Sequence, residues 1–82
     1  MIYVDVFVPV INREFDFILD ENATVGMITD ELIEVIMQNE KCKYQGPLAE
    51  IMLCLEETKS ILPHNKTLDE CGVHTGSKLI LA

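Results

Sequence analysis

The hydrophobic pattern of this 82-residue chain changes period once, near Thr24, and that change limits what the chain can become. Before it, residues 2–8 (Ile-Tyr-Val-Asp-Val-Phe-Val) and 14–20 (Glu-Phe-Asp-Phe-Ile-Leu-Asp) alternate with period two, the mark of half-buried strands. After it, Val25, Ile28, Leu32, Val35 and Ile36 recur at helical spacing, one apolar stripe of an amphipathic helix. Asp5 sets the phase of the first strand. A carboxylate belongs in water, so Ile2, Val4, Val6 and Val8 face a core while Tyr3 and Phe7 face away.

The second strand directs Phe15, Phe17 and Leu19 inward and Glu14, Asp16 and Ile18 outward. Pro9 to Arg13 makes the turn between the two strands, with Asn12 as its left-handed residue. Thr24 is the natural N-cap, because its hydroxyl accepts from an otherwise orphaned backbone N–H. The helix is expected to reach about Asn39, with Asp30, Glu31 and Glu34 on its wet face. Lys41 and Lys43 follow near its negative end, where cations are favoured, and Gly46-Pro47 breaks the chain. Residues 50–56 read as a third strand with Ile51, Leu53 and Leu55 inward and Met52 and Cys54 outward. Ser60-Ile61-Leu62 reads as a short edge piece stopped by Pro63. Residues 67–73 read as one turn of tight helix ended by Gly72. His74 to Ser77 makes a β-turn, and Lys78 to Leu81 is the last strand, with Leu79 and Leu81 inward. A hairpin, a helix and further strands predict a two-layer α+β fold, the helix lying across a mixed sheet.

The length allows one domain, residues 1–82. Fourteen acids against six bases give a formal charge of −8. Such a surface repels a phosphate backbone, which argues against nucleic acid and favours a protein partner with basic surface. General solubility is the blander explanation of the same charge. No apolar run approaches the ~18 residues of a membrane span. The start, Met1-Ile2-Tyr3-Val4-Asp5, lacks a basic region and meets an acid at once, unlike a signal peptide. A cytoplasmic protein with no direct membrane insertion is expected. Three cysteines, Cys42, Cys54 and Cys71, are spaced twelve and seventeen apart, which fits neither a disulfide framework nor a zinc ribbon.

Chemistry-bearing candidates are few. Cys71 and His74 could be imagined as nucleophile and base, but no orienting group or oxyanion donor accompanies them. Zinc would need Cys54, His64, Cys71 and His74 to converge at spacings that match no zinc module. The glycines at 26, 46, 72 and 76 form no phosphate-cradling loop. No enzyme activity, cofactor or metal is expected.

Particular residues resemble a known family. Leu62 followed by Lys66-Thr67-Leu68, and the close through Gly72-Val73 and Gly76-Ser77 into Leu79-Ile80-Leu81, resemble ubiquitin. Phe15-Asp16-Phe17 and the run Leu68-Asp69-Glu70-Cys71-Gly72-Val73-His74-Thr75-Gly76-Ser77-Lys78-Leu79 are more similar still to the bacterial YukD/EsaB group. The resemblance implies a ubiquitin-like β-grasp fold, ββαββ with a possible extra strand. It also implies association with type VII secretion, where a cytoplasmic protein reaches the inner face of the membrane through a machinery component. Ubiquitin and the sulfur carriers close on Gly-Gly, whereas this sequence stops at Leu81-Ala82, so a non-conjugating role is expected. The alternative is a modifier or sulfur carrier whose Gly-Gly tail is missing from this chain.

With the inward set assigned, Tyr3, Phe7, Ile18, Met52, Cys54 and Ile80 fall on the sheet face away from the helix. Exposed apolar clusters mark interfaces on small soluble domains, and Met and Tyr are common contact residues. Scattered apolar residues or cover by the 40–49 loop would give the same pattern with no interface. Asp5, Asp16, Glu50 and Glu56 are expected to rim this face and to favour basic groups on a partner. The predicted role is a protein-binding adaptor or regulator, monomeric or weakly self-associating. A self-associating structural domain using the same face is the remaining alternative.

Overall fold

The computed structural model describes residues 1–40 and 51–82. Strand β1 (Ile2–Val8) and strand β2 (Arg13–Leu19) form an antiparallel hairpin in register from Ile2 opposite Leu19 to Val8 opposite Arg13. A 3₁₀ turn, Pro9–Ile11, joins them, and Asn12 closes it at φ 51° with its N–H donating to the Pro9 carbonyl at 3.1 Å. Proline supplies the fixed φ at the start of the turn. Asparagine tolerates the left-handed conformation at its end.

Helix α1 (Val25–Glu40) follows. Thr24 caps it as expected, its Oγ1 accepting from the Met27 N–H at 3.3 Å. Strands β3 (Leu53–Leu55), β4 (Ser60–Ile61) and β5 (Lys78–Leu81) complete the molecule among the described residues. The sheet order is β2-β1-β5-β3-β4, with β1 and β5 parallel at its centre and the other neighbours antiparallel. The fold is the anticipated α+β arrangement of a helix on a mixed sheet.

One cluster of buried side chains joins the inner sheet face to α1. Ile2, Val4, Val6 and Val8 from β1, Leu53 and Leu55 from β3, and Leu79 and Leu81 from β5 meet Val25, Ile28, Leu32 and Ile36 of the helix. Leu19, Ile51, Leu62, Leu68 and Val73 close its ends. Phe15 and Phe17 point toward this core but are only half-buried, because β2 is an edge strand with a neighbour on one side. Their rings lie 6.2 Å apart, in the range of favourable aromatic pairs.

The buried helix stripe is rotated from the one anticipated. Val35 is 40% exposed, while Ile33 and Thr29 are buried. Thr29 tolerates the interior because its hydroxyl donates to the Val25 carbonyl at 2.7 Å, which satisfies the polar atom within the helix itself. A threonine at a core position hid the true stripe from a hydrophobicity pattern.

Two further expectations are corrected. The third strand is shorter than 50–56, although Met52 still exchanges backbone hydrogen bonds with Ala82 at 2.6 and 2.9 Å. Glu50, Cys42, Lys41, Lys43 and Gly46-Pro47 lie outside the described residues. Instead of a helix over 67–73, Thr67 bridges to Thr24 and residues 68–72 form consecutive turns. Thr67 and Glu70 bond reciprocally, backbone N–H to side-chain oxygen at 2.9 and 3.1 Å, as at the start of a helix. The chain then turns away at Gly72, whose φ is 82°.

This segment clamps the helix start through backbone. The Val25 N–H donates to Lys66 at 2.8 Å, Gly26 to His64 at 3.0 Å, and Leu68 to Ala23 at 3.3 Å. The Lys66 and His64 carbonyls satisfy helix N–H groups that would otherwise be orphaned. Gly26 stands where a Cβ would meet the His64 carbonyl at 3.3 Å, so its small size serves close packing.

Candidate protein-binding face

The strand register divides the outer sheet face into cross-strand rows. At one end, Tyr3 lies opposite Ile18, and the Gly76 N–H reaches the Tyr3 carbonyl at 2.8 Å. The next row is charged. Asp16 lies opposite Asp5, Asp5 pairs with Lys78, and the Glu56 N–H donates to the Lys78 carbonyl at 3.0 Å. A third row runs from Glu14 through Phe7, Ile80 and Cys54 to Ile61. Met52, beside Ala82, lies beyond it.

The six residues anticipated for this face therefore fall into two groups. Phe7, Ile80 and Cys54 form a contiguous row of half-buried apolar side chains, with exposed Met52 alongside. Tyr3 and Ile18, 62% and 55% exposed, are separated from them by the charged row. Sequence reading missed Ile61, which extends the longer row and is 60% exposed. Its signal was available: Leu62 is buried, so period two places Ile61 outward. The brevity of β4 concealed it.

Asp5 and Asp16 do not lie at the rim. They stand between the apolar groups. The hydrogen bond and negative charge of Asp5 hold the Asp16 carboxyl above the ordinary aspartate range, with a smaller push from Glu14. Two like charges directly opposite one another are unfavourable.

Cys71 and His74 do not form a reactive pair. Burial, then the nearby Glu70 charge, pushes the Cys71 thiol up, and a thiol so shifted is a poor nucleophile. The His74 ring is engaged elsewhere, with Nδ1 2.9 Å from the Thr75 carbonyl oxygen and Nε2 3.5 Å from Glu57 Oε2. The Thr75 carbonyl is the first cause that raises the His74 pKa, with Glu57 adding to it. Among the described residues, no group of three or more His, Cys, Asp or Glu side chains could hold a metal ion. No described helix is long and apolar enough to cross a membrane.

Comparison with known proteins bears on the family and the fold. The family model described as "WXG100 protein secretion system (Wss), protein YukD" matches residues 3–81. Among solved structures, the EccD5 ubiquitin-like domain from Mycobacterium xenopi is similar at 23% identity and TM-score 0.76, over 99% of this chain and 91% of that one. The ubiquitin of Caldiarchaeum subterraneum is similar at 21% identity and TM-score 0.70, over 98% and 89%. A chain of an ESX-5 inner membrane complex is similar at 23% identity and TM-score 0.77, over 99% of this chain but 20% of that longer one. At these identities the structures establish a ubiquitin-like β-grasp fold. A search of the curated proteins finds no match.

Proposed function

Because the chain belongs to the YukD family, we propose that it is a non-catalytic protein-binding adaptor of type VII secretion. It docks a component of the secretion machinery on the Phe7–Ile80–Cys54–Ile61 row of its sheet. The observation that carries this reading is the row itself, contiguous across four strands with Met52 alongside. A line of apolar side chains on the solvent face of a small sheet has no role in the core cluster and is the kind of surface that interfaces use. A domain of the same fold in EccD5, and another within a chain of an ESX-5 inner membrane complex, support a partner in that machinery. Such a partner would bring the protein to the membrane.

The test pairs this chain with the soluble segments of the WXG100 secretion membrane proteins encoded in the same genome, measured by calorimetry. The double variant Met52→Asp/Ile61→Asp changes two exposed positions. It is expected to keep the amide NMR pattern and to lose affinity by roughly tenfold or more. Wild-type affinity in the folded variant would overturn the reading.

A further inference from the structure

The far end of the outer face carries a second feature, independent of the apolar row. An open groove of about 580 Å³ runs there, its walls including Tyr3, Ile18, Thr75 and Gly76, with Asp5 and Asp16 at one end. Tyr3 and Ile18 face each other across the hairpin and are largely solvent-exposed. The groove thus joins an aromatic ring and an aliphatic side chain to two adjacent carboxylates.

That combination selects a ligand chemistry. An apolar stem gains from lying along Tyr3 and Ile18, and a cationic head gains from the carboxylates. A planar guanidinium can bond two carboxylate oxygens at once and stack on a tyrosine ring. We propose that this groove receives an arginine side chain of a protein partner, with its stem against Tyr3 and Ile18 and its guanidinium on Asp5 and Asp16. The charges around the head favour a cation. Among the described residues of these rows, Asp5, Asp16 and Glu14 stand against one base, Lys78, which lies opposite Asp5 in the β1–β5 register. The whole chain carries −8. A guanidinium between the two aspartates also relieves their mutual repulsion, which together with the hydrogen bond to Asp5 holds the Asp16 carboxyl high in the free protein.

The inference rests on the β1–β2 register and not on the secretion reading, and its test needs no secretion partner. The full chain, labelled with ¹⁵N, is titrated at pH 7 with N-acetyl-arginine amide, N-acetyl-lysine amide and N-acetyl-norleucine amide. The arginine compound is expected to shift the amides of Tyr3, Asp5, Asp16, Ile18 and Gly76. The lysine compound should bind more weakly and the norleucine compound should leave these amides in place. Asp5→Asn/Asp16→Asn should weaken arginine binding by about tenfold, while Met52→Asp/Ile61→Asp should leave it unchanged. Binding should also move the Asp16 titration to lower pH, against the background of Asp5, Glu14 and Lys78. Equal shifts around Glu56, Glu57 and Glu70, equal affinity for lysine, or full affinity in the asparagine variant would each overturn the proposal.

Discussion

The two faces of the sheet are made from the same strands, and their cross-strand rows follow opposite rules. On the inner face the rows are apolar except at the sheet edges, where Arg13 lies opposite Val8 and Ser60 opposite Leu55, so the central pairs pack and merge into one cluster with α1. On the outer face an apolar row, a charged row and an apolar pair succeed one another along the strands. A one-residue slip of register would exchange the two faces entirely. The inner face thus fixes the register, and the outer face inherits an arrangement that its own side chains would not enforce. Asp5 opposite Asp16 is the clearest case, since the pair is mildly unfavourable and is held in place by Val4, Val6, Phe15 and Phe17 on the other side of the same strands.

Substitutions can break this contrast. Leu53→Ala empties a fully buried inner position and is expected to cost about 2–5 kcal/mol, read from the urea midpoint. Phe17→Ala lies on the inner side of the half-covered edge strand. It should cost roughly half of the ~3–5 kcal/mol of a fully buried phenylalanine. Should it match Leu53→Ala, the edge would be as well packed as the centre. Ile61→Ala, on the outer face, should stay within ~0.5 kcal/mol of wild type in the same measurement. A cost near that of Leu53→Ala would mean that the outer row belongs to the core and is no free surface.

The subtlest effect concerns Asp16. Its carboxyl is raised in the folded state, so the fold binds that proton more tightly than the unfolded chain does. Its contribution is complete below the unfolded value near 3.8 and is lost as pH rises through the raised folded value. Asp16→Asn should therefore gain in relative stability as pH climbs through that window. The difference between the two urea midpoints, followed across the window, reads the effect. It also separates Asp16 from Glu70, whose carboxyl is lowered by its bonds to Thr67 and works in the opposite direction.

Much of this contrast was legible in the sequence, because alternation reports which face a side chain takes. Asp5 was enough to orient β1, and the hairpin, the Thr24 cap and most of the core followed from local pattern. What local pattern could not report was adjacency between distant strands. That Lys78 extends the Asp16–Asp5 row, and that this row parts Tyr3 and Ile18 from Phe7 and Ile80, depends on β1 and β5 being neighbours in a given register. Thr29 and Val35 failed for a different reason. Hydrophobicity ranks valine above threonine for burial, whereas a threonine bonded to its own helix is at home inside.

The placement of β5 between β1 and β3 has a consequence for how the chain is made. During synthesis the β1–β2 hairpin emerges first and the β3–β4 pair much later, and neither neighbours the other in the finished sheet. Residues 78–81 join them, so the centre of the sheet cannot close until those residues have been made. Until then β1 presents an open edge, and the pairings that end this exposure are among the longest in the sequence. The sheet of this small domain is accordingly completed by β5, the strand that joins its two halves.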